Sequence, residues 1–149
     1  MSEAGERAEE ILYSQSFRVA GGDFTRGGEV AAEIKRILKD LGIPSDCIRR
    51  LSIANFEAEM NVVMYAEEAR VRLQVTSDTV RIVVEDRGPG IPDIELAMQP
   101  GWSTATAEMR QMGFGAGLGL PNIKKSADAF EIGSSPGVGT TLRYSVRFG

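Results

Sequence analysis

Apolar positions change period several times along this chain, and each change marks a predicted element. Between residues 70 and 85 they alternate: Val71, Leu73 and Val75, then Val80, Ile82 and Val84. Strand side chains point to opposite faces in turn, so this pattern predicts two half-covered strands, 70–76 and 79–85, joined at Ser77–Asp78. Between 29 and 41 the period becomes helical, with Val30, Ile34, Ile37, Leu38 and Leu41 on one stripe and Gly42 as the stop. Pro44 and Ser45 open a longer predicted helix, 46–66. A first strand is predicted over 11–19, followed by loop glycines at 21, 22, 27 and 28. A third helix is predicted from 118 to about 129, and two strands, 130–134 and 140–148, close the chain around a turn at 135–139. Residues 92–117 lack strand periodicity and hold Pro100, Gly101, Gly113, Gly115 and Gly117. A stretch of that length inside a domain is usually functional, and a mobile lid is expected there. The order strand, helix, helix, strand, strand, lid, helix, strand, strand predicts an α/β two-layer sandwich. Its sheet is expected to be mixed and mostly antiparallel, with the helices on one face.

Bulk properties narrow the function. The 149 residues suit one domain spanning 1–149, with 1–10 frayed. A net charge of −4 argues against a nucleic-acid partner. There is no histidine, which excludes Ser–His–Asp chemistry, histidine-ligated zinc and an internal phospho-accepting histidine. Cys47 is the only cysteine, so no intrachain disulfide can form. No apolar run reaches membrane-span length and the acidic start lacks a signal pattern, so a cytoplasmic protein with no membrane partner is expected.

Four stretches can carry chemistry. The first is Glu85–Asp86–Arg87–Gly88–Pro89–Gly90–Ile91. Asp86 is in phase with Val80, Ile82 and Val84, so its carboxylate should face the covered side, where it needs a donor. A ligand amino group such as that of adenine is one such donor, and the glycines would let it approach the backbone. A turn satisfied by its own backbone is the other reading. The second stretch is Glu57 and Asn61, four apart and so stacked on one helix face, on the same side as Ile53, Ala54, Met60 and Met64. Either both reach water at the stripe's edge, or Asn61 offers an amide oxygen to magnesium while Glu57 acts as a general base. The third is Gly113–Phe114–Gly115–Ala116–Gly117–Leu118–Gly119, whose N–H groups could surround phosphate at a helix start. It is not a dinucleotide fingerprint, which would need glycine at 118, and no Walker loop or H-R-D and D-F-G signature is present. The fourth is Gly137–Val138–Gly139–Thr140–Thr141, by itself a tight turn entering a strand.

Taken in order, these four stretches resemble the motifs of the GHKL superfamily of ATP-binding domains. Glu57-x-x-x-Asn61 looks like its N-box, Asp86 to Gly90 like its first glycine box, Gly113 to Gly119 like its second, and Gly139–Thr140 like its last. The resemblance covers about 45–148 and implies the Bergerat ATP-binding fold. It implies ATP and Mg2+ as cofactors, with Asp86 at the adenine amino group and Gly88, Gly90 and Ile91 beside it. It further implies Asn61 at the metal, residues 113–119 at the phosphates, and Thr140 fixing Asp86. Within the superfamily the chain most resembles small serine-protein kinases of the RsbT and SpoIIAB types. Asp93 to Met98 with Gly101–Trp102–Ser103–Thr104, and Ala127 to Ile132, look like the RsbT branch. That likeness implies a serine/threonine kinase with Glu57 as general base and STAS-domain proteins as partners, with a phosphatase or a sigma factor as further ones. A nucleotide-gated binding switch, such as an anti-sigma factor, is the rival. The catalytic half of a histidine kinase fits less well, lacking a histidine and room for a helical hairpin before Ile11. A gyrase-like or mismatch-repair ATPase would need a transducer domain beyond Phe148. Trp102 suits docking or local packing, and Lys124 and Lys125 suit phosphate neutralisation or solubility.

Overall fold

Alternation along the strands becomes alternation between core and solvent. The structure, a computed structural model, describes residues 10–91, 94–99 and 119–149. In chain order its elements are β1 (Tyr13–Ala20), α1 (Glu29–Asp40), α2 (Ser45–Tyr65), β2 (Glu68–Val75), β3 (Thr79–Arg87), α3 (Ile94–Ala97), α4 (Gly119–Ser126), β4 (Ala129–Ser135) and β5 (Gly139–Arg147). The five strands form one sheet in the order β1-β2-β3-β5-β4. Every pairing is antiparallel, so no parallel pair of the expected mixed sheet is present among the described residues. The reason is local. Tight turns join β2 to β3 and β4 to β5, and β5 then lies against β3 in the opposite sense.

Register aligns the apolar rows, with Leu73 opposite Ile82 and Ile82 opposite Tyr144. The row packs against Ile34 and Leu38 of α1, Leu51 and Ala54 of α2, and Ile123 of α4, all essentially without solvent exposure. The other face carries Arg70, Arg72 and Arg143. A sheet covered on one side only has this period-two composition.

Element ends differ from the sequence expectation by a few residues, each for a visible reason. Leu12 donates to the Val75 carbonyl, but β2 then turns away at Thr76, so β1 starts at Tyr13 and not at 11. β2 begins at Glu68, two residues early, and β3 correspondingly runs on to Arg87. α4 stops at Ser126 because Asp128 already donates to the Ser145 carbonyl and enters the sheet. Within 92–117, a one-turn helix, α3, seats Ala97 in the interior. No described helix is long and apolar enough to cross a membrane.

Candidate functional site

Asp86 sits one residue from the end of β3, paired with Ala69. Its Oδ1 accepts the Thr140 N–H at 3.0 Å, and its Oδ2 has no donor among the described residues. Burial pushes its carboxyl above the ordinary aspartate value of 3.8, and the Thr140 N–H pulls it back in part. The chain after Asp86 is stitched to the turn between β4 and β5. The Gly88 N–H donates to the Val138 carbonyl at 3.0 Å, and the Gly137 N–H to the Pro89 carbonyl at 2.7 Å. The Ile91 N–H donates to Ser134 Oγ at 2.6 Å, which in turn lies 3.2 Å from Thr140 Oγ1. Two glycines make this closeness possible. A Cβ on Gly139 would stand 2.0 Å from the Asp86 carbonyl oxygen, and one on Gly90, whose φ is +75°, 2.6 Å from that of Ser135.

Glu57 and Asn61 lie on the flank of α2 that faces α4. The two helices run antiparallel as a polar seam. Arg50 Nε donates to the Ser126 carbonyl at 3.0 Å, Asn122 Nδ2 donates to Glu57 Oε2 at 2.9 Å, and a Cβ on Gly119 would lie 3.4 Å from Asn61 Oδ1. Both Glu57 and Asn61 are half-buried. Of the apolar residues expected beside them, Ala54 and Met60 are buried but Ile53 is 42% exposed. Ile53 stands two residues from both Leu51 and Asn55, about 200° of helical rotation from each, so it falls on the uncovered arc. Gly88 packs on Ala66, where a Cβ would meet Cα at 3.0 Å. The Asp86 turn and the start of α4 therefore converge on the C-terminal end of α2. Gly113–Leu118 and Trp102 fall outside the described residues.

The family model described as histidine kinase-, DNA gyrase B- and HSP90-like ATPase matches residues 48–149. The chain belongs to this ATPase family. The GHKL resemblance read from the four motifs is thereby borne out. Among curated relatives, the serine/threonine-protein kinase RsbT of Bacillus subtilis (strain 168) is 32% identical over 113 residues, 73% of this chain and 79% of the relative. An anti-sigma F factor of Caldanaerobacter subterraneus subsp. tengcongensis is 33% identical over 107 residues, 68% of this chain and 71% of the relative. The catalytic domain of the histidine kinase ThkA superposes with a TM-score of 0.51 at 16% identity, covering 92% of this chain and 97% of that one, which shows the shared fold.

A carboxylate outside the four motifs is buried and held by three backbone N–H groups. Glu59, only 4% exposed, accepts the N–H groups of Gly28 at 2.9 Å, Val30 at 3.2 Å and Ala31 at 2.8 Å. It caps α1 from another helix. A signal existed: α1 starts after glycines and has no Ser, Thr, Asp or Asn at its N-cap, so its first N–H groups needed an outside acceptor. Asn55, one turn before Glu59, is likewise buried and accepts the Tyr144 hydroxyl at 2.6 Å. Burial and the nearby Glu59 charge hold the Tyr144 phenol well above its usual range. Ser134 and Asn122, which bond Ile91 and Glu57, belong to none of the four motifs. Lys124 and Lys125 are exposed. Burial pushes the Cys47 thiol up to about 11, so it stays protonated and unreactive at neutral pH.

Proposed function

We propose that this chain is an ATP-dependent serine/threonine-protein kinase acting on STAS-domain proteins in a stressosome-type partner-switching pathway. The observation that carries this reading is its 32% identity to a serine/threonine-protein kinase over 79% of that protein's length. The residues fit a nucleotide. Asp86 has one oxygen with no donor among the described residues, which would accept from a ligand amino group, and Gly88, Gly90, Ile91 and Thr140 shape the backbone around it. Asn61 offers one hard amide oxygen. No cluster of three carboxylate, histidine or cysteine side chains occurs among the described residues, so phosphate and water oxygens would complete a magnesium shell. Gly113–Gly119 are assigned to the phosphates by resemblance.

Bound MgATP supplies a γ-phosphoryl group whose developing charge the cation offsets. The chain's own work is positioning. Asp86 fixes the base, Asn61 fixes the metal end, and Glu57 accepts the proton of the incoming hydroxyl. Its Oε2 accepts from Asn122, and its Oε1, which has no donor among the described residues, would take that proton. The test is transfer of label from γ-labelled ATP to a purified STAS-domain protein from the same genome. Label on a serine or threonine with wild type, and not with Glu57→Ala, is expected. Its absence with wild type overturns the kinase reading.

A second reading, a nucleotide-gated anti-sigma factor, is favoured by the 33% identity to an anti-sigma F factor over 71% of its length. Pull-down of a sigma factor with ADP and with ATP checks it. Capture that depends on the nucleotide supports this role, and no capture with either nucleotide removes it.

A further inference from the structure

The seam between α2 and α4 holds a contact that neither motif describes. Asn122 Nδ2 donates to Glu57 Oε2 at 2.9 Å, from a half-buried position. Its neighbour Ile123 is fully buried and anchors α4 to the core. At the far end, Arg50 ties the helix down: its Nε donates to the Ser126 carbonyl and its Nη2 to Asp128 Oδ1 at 2.7 Å. Asp128 Oδ2 also accepts the Arg147 N–H at 2.7 Å, which joins that end to β5. Asn122 is therefore held on a fixed helix, and it addresses one oxygen of a carboxylate whose other oxygen has no donor among the described residues.

From this arrangement we infer that Asn122 is a positioning residue for the phosphoryl-transfer step, which rests on the reading of Glu57 as general base. A glutamate with three rotatable bonds samples many orientations, and one directed hydrogen bond to Oε2 fixes the carboxyl plane and leaves Oε1 to the substrate hydroxyl. The amide is neutral. An arginine or lysine there would also orient the carboxylate, but its charge would make it a poorer proton acceptor. A short amide on a packed helix orients Glu57 without quenching it.

The test combines kinetics with a double-mutant cycle. Asn122→Ala removes the donor, Asn122→Asp keeps the size but turns the donor into an acceptor, and Asn122→Ser restores a short hydroxyl donor. With labelled ATP and the STAS-domain protein, the Ala and Asp variants should lower kcat about tenfold while the ADP dissociation constant stays within about twofold. The Ser variant should recover part of the rate. In a Glu57→Ala background, Asn122→Ala should change kcat no further. An equal loss in that background, or a loss that appears in ADP affinity instead of kcat, overturns the inference. If Glu57→Ala itself leaves kcat unchanged, the general-base reading fails, and a loss on Asn122→Ala alone then assigns Asn122 to another role. A second readout needs no substrate. Urea-unfolding midpoints of wild type, both single variants and the double variant report whether the two side chains are coupled. Additive midpoint changes would show that no such hydrogen bond exists and would overturn the inference whatever the kinetics.

Discussion

Glu57 and Glu59 stand two residues apart on one helix and meet opposite surroundings. Two residues turn a helix by about 200°, so one side chain points along the α4 seam and the other into the gap beneath α1. Glu59 is almost wholly buried and accepts three backbone N–H groups. Glu57 is half-buried and accepts one side-chain amide, and its other oxygen has no donor among the described residues. A carboxylate buried under three backbone donors is out of a substrate's reach, whereas a half-buried one held at a single oxygen is not. Residue type and helix are shared, so the difference lies in what each neighbouring element lacks. α1 lacks a cap of its own, and α4 brings one short amide to the seam.

Substitution should separate the two. Glu57→Ala is expected to lower the rate of phosphoryl transfer by about 10²–10⁴-fold, the usual range for a positioned general base, while the urea midpoint falls only by the worth of one half-buried hydrogen bond, about 1 kcal/mol. Glu59→Ala should do the reverse. It leaves three N–H groups without their acceptor at a site nearly closed to water, which costs about 3 kcal/mol of stability by denaturant titration. Any transfer activity lost should return at low temperature, where the variant is folded. If Glu59→Ala unfolds at the wild-type midpoint, the cap across α1 and α2 is not a stabilising contact. If Glu57→Ala unfolds as easily as Glu59→Ala, the division between them disappears. Gly139→Ala comes next. Its new methyl would meet the Asp86 carbonyl oxygen at 2.0 Å, and both are backbone-bound parts of adjoining strands. Forcing them apart should cost about 2 kcal/mol of stability, and it should weaken nucleotide binding by shifting Asp86.

The same contrast explains what could be read from the chain before folding. Val71, Leu73, Val75, Val80, Ile82 and Val84 announced their strands because a one-sided sheet imposes a strict period of two, and all six are buried. Glu57 and Asp86 drew notice because they belong to spaced motifs. Glu59 did not, because its role depends on a partner 28 residues or more away, and nothing local distinguishes it from an exposed helical glutamate. Asn122 is the same case, with its partner 65 residues away in sequence. Ile53 failed in the other direction. Helical spacing puts it on the side of Ala54 and Met60, which are buried, but the buried arc is interrupted at Ile53. Helical periodicity tells which residues share a face, and it does not tell which face a third element will cover.

The smallest expected stability effect belongs to Asp86, and its sign is the informative part. Burial raises the carboxyl above 3.8 in the folded chain, while the unfolded chain titrates near the ordinary value. Between those two values the folded protein binds more protons than the unfolded one, so stability falls as pH rises through the window and stays at the lower level above it. Ionised Asp86 is thus a net burden on the empty protein at neutral pH, despite the Thr140 N–H. Asp86→Asn keeps an oxygen for that N–H and removes the charge. The variant should melt at or above the wild-type temperature at pH 7, and the difference should close as pH drops below about 3.8, the ordinary aspartate value. It should also bind nucleotide at least about tenfold more weakly, because the acceptor proposed for the ligand amino group becomes a donor. Calorimetry with ADP and a melting series across pH read both quantities. A variant that loses stability at pH 7 would mean that Asp86 serves the fold. One that keeps full affinity would move the adenine contact elsewhere. A stabilised protein with weakened binding would place Asp86 with Glu57, among the carboxylates that the fold tolerates for the sake of a ligand.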